Sequence, residues 1–156
     1  MHFPLIKFEK IDTPIENWDI DADPESITLQ ANTDYYGELY SKEDRRNIIE
    51  SEWLKNFFDG IATIDVKKET ITFLNPDVID TTIKNYLIHT TSDLYVEAKK
   101  EKLRGYDLRC AGEYYKDCWS LFNIDNYWQS SFDFICDAHY HAGETWKIGN
   151  IFDAHI

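Results

Sequence analysis

Three side chains near the end of the chain have the types and spacing of metal chemistry: Asp137, His139 and His141, within Phe134-Ile135-Cys136-Asp137-Ala138-His139-Tyr140-His141. Histidines two apart share one face of a strand, and imidazoles can hold a divalent ion that turns bound water into a nucleophile. A second constellation, Asp19-Ile20-Asp21-Ala22-Asp23, sets carboxylates at alternate positions, the hard oxygen donors that calcium takes. A third mixes acids with aromatics: Asp34-Tyr35-Tyr36, followed by Glu38. Carboxylates meet Lys and Arg through charge-assisted hydrogen bonds, and tyrosines add apolar contact at modest entropic cost.

The histidine segment resembles the strand-ending Asp-x-His-x-His signature of amidohydrolase-type metal hydrolases. That resemblance implies a metal at His139 and His141, but it also implies a barrel of ~250 residues, and only 15 residues follow His141. Asp153-Ala154-His155 echoes the motif. In the hairpin pairing given below, His155 lies about 27 Å along the strand from His139, too far to share an ion. The Asp19 run opens like an EF-hand calcium loop and then departs from it. Its sixth position is Pro24 where the turn needs Gly, and its twelfth is Gln30 where a bidentate Glu is required. No Gly-rich phosphate loop, His-Glu-x-x-His, Gly-x-Ser-x-Gly or Cys-x-x-Cys is present. Binding is therefore expected rather than catalysis, with no cofactor; Asp137, His139 and His141 remain the metal alternative.

Charge points the same way. The net charge is −13, and it is unevenly spread: residues 11–41 hold Asp12, Glu16, Asp19, Asp21, Asp23, Glu25, Asp34 and Glu38 without one Lys or Arg. Residues 42–104 are nearly neutral, and beyond them acids again outnumber bases. Such a surface repels phosphates and anionic lipid, which excludes direct nucleic-acid and membrane binding, and it steers basic proteins into encounter. A single Met excludes a Met-rich adaptable groove. Cys110, Cys118 and Cys136 lack the paired spacing of a zinc site or disulfide framework, and neither a leader nor an apolar run of ~20 residues is visible. A cytoplasmic protein with reduced thiols is expected.

In size, acidity and lack of catalytic motifs, the chain is similar to bacterial toxin-immunity proteins. The resemblance implies an inhibitor that covers the positive cleft of a basic partner such as a nuclease toxin. That group shares no motif, so the contact residues are chosen from this chain's own acid density: Asp19, Asp21, Asp23, Asp34, Tyr35, Tyr36 and Glu38. A DNA mimic would differ only in its target. The alternative is a small-ligand pocket or metal-dependent hydrolase on a C-terminal aromatic hairpin.

The elements that must position these residues form a single α+β domain over 1–156: an antiparallel sheet with a long C-terminal hairpin, packed against two or three helices. Leu5–Glu9 and Ser26–Gln30 read as short strands, the first at an edge. Ser41-Lys42-Glu43-Asp44 is a near capping box ahead of Ile49, Trp53, Leu54, Phe57 and Phe58, which predicts one helix ending at Asp59-Gly60. Residues 61–66 and 70–74 predict a β-hairpin. Asn75-Pro76 opens a long helix that runs to a basic last turn before Gly105, with a break expected at Thr90-Thr91-Ser92. Leu108 to Phe122 suggest a further helix. Phe132, Phe134, Cys136, Ala138 and Tyr140 alternate, as do Trp146, Ile148, Phe152, Ala154 and Ile156. Together they predict a hairpin placing Tyr140 by Trp146, Ala138 by Ile148 and Phe134 by Phe152.

Overall fold

A computed structural model describes residues 2–22, 35–101, 116, 118 and 120–155, with the backbone alone for 35–37 and 90–101. The predicted strand Ser26–Gln30, most of the helix suggested over Leu108–Phe122, and Cys110 lie outside the described residues.

The fold is α+β. Strand β1 (His2–Lys10) and a short 3-10 turn (Ile15–Asn17) precede β2 (Tyr35–Leu39), helices α1 (Lys42–Ile49) and α2 (Glu52–Phe58), and the hairpin β3 (Ala62–Asp65) and β4 (Thr70–Phe73). Helix α3 (Pro76–Glu101), the hairpin β5 (Leu121–Ile124) and β6 (Tyr127–Ser130), and helix α4 (Ser131–Asp137) follow. A second 3-10 turn (Ala138–His141) leads into β7 (Thr145–His155). The strands lie in the order β3-β4-β7-β1-β5-β6, with β2 also on β7. Pairing is antiparallel except between β1 and β5.

Local chemistry sets most of these boundaries. Ser41 caps α1 by accepting from Asp44 N at 3.1 Å, and Asn75 accepts from Val78 N at 3.0 Å at the start of α3. Ser51 divides the single helix expected over 42–58 in two: its Oγ donates to Ile48 O at 2.6 Å and accepts from Leu54 N at 3.4 Å, ending one helix and capping the next. Helix α3 runs through Thr90-Thr91-Ser92 without the expected break. Strand β1 is central rather than an edge, flanked by β7 and β5 and buried along most of its length.

The long C-terminal hairpin does not form. Residues 131–137 are helical because Ser130 and Asp133 make a reciprocal cap, Ser130 Oγ accepting from Asp133 N at 3.1 Å and donating to its carboxylate at 2.9 Å. Ser131, Phe134, Ile135 and Ala138 then bury one helical stripe. Alternation and helical spacing coexist in this segment, and the cap decides between them. Strand β7 takes β1 as its partner instead, pairing Phe152 with Leu5 and Ile148 with Phe8. Between those pairs Gly149 and Asn150 face the single residue Lys7, a β-bulge. The extra residue brings Ile151 into the same cluster as Trp146 and Ile148, and moves Phe152 and Ala154 to the other face. The single apolar face expected of β7 is thus divided between both faces of the sheet. Only glycine fits at the bulge, since a Cβ on Gly149 would lie 2.9 Å from the Lys7 carbonyl oxygen and 2.8 Å from Glu9 Cγ.

The helices cover one face. Phe8, Phe57, Phe58, Phe122 and Phe134 pack ring against ring there, with Phe57 and Phe122 stacked at 4.6 Å, beside Ile49, Ile79 and Ile148. On the other face, Phe3, Leu5, Leu121, Trp128, Phe152 and Ala154 form a smaller cluster, which Ala22 joins as the segment after β1 returns across the sheet. Among the described residues no helix is long and apolar enough to cross a membrane.

Candidate functional site

The register of three strands builds a polar row on the face away from the helices. Parallel pairing of β1 with β5 sets Lys7 beside Asn123, and the β5–β6 hairpin sets Asn123 beside Trp128. Cross-strand partners share a face, so the three side chains stand side by side. All are buried: Lys7 is 6% exposed, Asn123 3% and Trp128 3%.

The chain folds back over the row at residues 19–22, leaving a cavity of about 410 Å³. Its described walls are Lys7, Asn123 and Trp128 from the sheet, Asp19, Asp21 and Ala22 from the returning segment, and Asn126 from the β5–β6 turn. Asp125 and Asn126 make that turn with positive φ (52° and 62°), the conformation Asp and Asn tolerate best. Asn150 Nδ2 donates to Asp19 O at 2.8 Å, which ties the returning segment to the bulge. Trp18, 8% exposed, lies under the Arg45 guanidinium, 5.7 Å from its ring centroid.

Burying an ammonium is costly unless carboxylates meet it. Lys7 Nζ pairs with Asp19 and lies 3.9 Å from Glu9 Oε1. Burial pushes the Glu9 carboxyl above its ordinary range, with Lys7 pulling the other way. Asn123 Oδ1 is buried without a hydrogen-bond partner. A buried acceptor left unpaired costs about 1–3 kcal/mol, so among its described lining the cavity has one unmet demand, and it is for a donor.

Among the residues expected to bind a partner, Asp19 and Asp21 line this cavity. Tyr35 and Tyr36 sit on β2, opposite His155 and Ala154 of β7, and Glu38 is exposed on the same strand. Asp23 and Asp34 lie outside the described residues. Asp137, His139 and His141 do not share a strand face, because their segment is helical. Gln129 Nε2 donates to Asp137, His139 Nδ1 lies 2.9 Å from Cys136 O, and His141 Nδ1 lies 2.9 Å from Glu144 Oε2. Among the described residues no three His, Cys, Asp or Glu side chains converge on a point where an ion could sit.

Lys7 and Asn123 were not among the candidates, and both carry a signal. Each polar residue interrupts an apolar strand, Leu5-Ile6-Lys7-Phe8 and Leu121-Phe122-Asn123-Ile124, where a side chain with no local reason to be buried needs a tertiary one. No protein-family model, curated protein or solved structure matches this chain.

Proposed function

We propose that this chain is an acidic binding protein that neutralises a basic protein, acting as an immunity-type inhibitor of a nuclease toxin in the bacterial cytoplasm. One observation carries the reading: residues 11–22 combine carboxylates, with no Lys or Arg among them, with exposed apolar side chains. Asp12, Glu16, Asp19 and Asp21 are all exposed there, and Ile11, Ile15 and Ile20 among them are 53%, 69% and 70% exposed. A docking surface uses both, because carboxylates steer a cationic partner while apolar side chains hold it. The alternative built on a C-terminal aromatic hairpin loses its scaffold: Phe134 is buried in the helix-side core, Trp146 is 7% exposed, and Tyr140 at 73% faces solvent.

The test is co-purification from the native host followed by kinetics. A basic nuclease should be retained. Reversing Asp12 and Glu16 to Lys should slow its association by about tenfold or more at low salt, with little effect at high salt. An association rate unchanged by the reversal would remove this surface from the interface.

A further inference from the structure

We infer that the cavity between Lys7, Asn123, Trp128 and the Asp19–Ala22 segment is a receptor for a guanidinium group, an arginine side chain presented by the basic partner. The inference rests on the reading above for the partner's class; the chemistry of the cavity is its own argument.

That argument starts from the unpaired atom. Asn123 is 3% exposed on a central row of the sheet, and its Oδ1 accepts no hydrogen bond. A neutral acceptor at the floor of a cavity asks for an N–H or O–H, and an anion could not supply one. Charge at the rim selects further. The described lining holds the carboxylates of Asp19 and Asp21 against the ammonium of Lys7, two negative groups to one positive, so one more cation makes it neutral. Lys7 is already engaged by Asp19 and Glu9. Asp21 has no ion-pair partner among the described side chains.

Guanidinium fits this set better than ammonium does. The acceptors lie on different elements, Asn123 at the floor and Asp21 at the rim, and a rigid planar fork with five N–H donors can serve both at once. It is also less strongly hydrated than ammonium, so moving it into a cavity walled by Trp128 costs less, and an aromatic wall favours a cation. Ile20, exposed between the lining residues Asp19 and Asp21, would cover part of the aliphatic stem.

The experiment is a titration of the isotope-labelled full chain with the peptide acetyl-Gly-Arg-Gly-amide, followed by NMR. Saturable shifts of the Asn123 side-chain amide and the Trp128 indole N–H are expected. The neutral citrulline peptide, which keeps N–H donors but lacks the charge, and the lysine peptide should each bind about tenfold more weakly or worse. Asn123→Leu removes the acceptor without leaving a buried polar atom, so it should fold and should weaken arginine-peptide binding by about tenfold or more. Asp21→Asn, on the exposed segment, should weaken it as well. Absent saturation at Asn123 and Trp128, equal affinity for the citrulline peptide, or unchanged affinity in Asn123→Leu would each overturn the inference. If the peptide fails while the Lys reversals still slow a partner's association, the docking reading stands and the arginine receptor falls. If the peptide binds and the reversals change nothing, the receptor stands and that surface falls.

Discussion

Arg45 Nε donates to the Gly149 carbonyl at 2.7 Å, on a stretch of the β7 edge that no strand covers. Strand β7 has β1 along one side, so β4 and β2 share the other, β4 at Thr145–Lys147 and β2 at Phe152–His155. The gap between them exposes backbone carbonyls that need donors. The Arg45 guanidinium fills it, also donating to Ile148 O and, at 2.7 Å, to Glu69 Oε2. It is 13% exposed and packs on Trp18, so α1, β7 and the segment leading to the cavity meet at this one side chain.

Arg45→Ala should therefore cost about 3 kcal/mol, because it leaves two carbonyls and a carboxylate without their donor. Arg45→Lys should recover little, since an ammonium cannot reproduce the fork. Arg46 next to it is 73% exposed and, among the described residues, bonds to Glu50 one turn on, so Arg46→Ala should leave stability nearly unchanged. Urea denaturation of the three variants distinguishes a structural plug from a surface charge; equal losses at 45 and 46 would refute the assignment.

Asn123→Leu should have the opposite sign. Replacing a buried amide whose oxygen is unpaired with an apolar side chain of similar size is neutral or stabilising by up to about 1 kcal/mol. A melting temperature at or above that of the parent, together with lost arginine-peptide binding, would mark Asn123 as held for recognition at the expense of stability. A drop of several degrees would mean that the amide is bonded in the folded protein.

The sequence reveals elements more readily than the site. Capping residues and periodicity give α1, the β3–β4 hairpin, the start of α3 and the extent of β7, because each signal is local. The segment 131–141 misleads because Phe132, Phe134, Cys136 and Ala138 satisfy a strand's period while Ser131, Phe134, Ile135 and Ala138 satisfy a helix's. The reciprocal Ser130–Asp133 cap was the deciding local feature. The cavity is harder still. Lys7 and Asn123 lie 116 positions apart and become neighbours only through the parallel β1–β5 pairing, which no local pattern encodes. A polar residue inside each apolar strand is the only trace that pairing leaves.

Both described thiols should be inert at neutral pH. Burial pushes Cys118 and Cys136 up to about 11, opposed at Cys118 by hydrogen bonds with Ser120 and reinforced at Cys136 by the carboxylates of Asp133 and Asp137. Alkylation at pH 8 should run on the order of a hundredfold slower in the folded protein than in denaturant, read residue by residue by mass spectrometry. The sign for stability follows. A folded pKa above the unfolded one favours folding while the thiol is protonated, so this contribution is whole below about pH 9 and fades as pH climbs through 11. Cys118→Ala and Cys136→Ala should each flatten that alkaline decline. Rapid native alkylation of either thiol would contradict the burial that causes the shift.

The carboxylates and isoleucines of residues 11–22 should separate kinetically. Long-range charge acts before contact, so Asp12→Asn and Glu16→Gln should lower the association rate of a basic partner in a salt-dependent way and leave dissociation nearly unchanged. Short-range apolar contact acts only after docking. Ile15→Ser and Ile20→Ser should therefore speed dissociation by about tenfold or more for each anchor that the interface buries, with association little affected. Both side chains already face water, so stability should move by no more than about 0.5 kcal/mol. Surface plasmon resonance at two salt concentrations reads both rates. If the isoleucine variants dissociate at the parent rate, the exposed residues are not anchors, and the segment contributes only its charge.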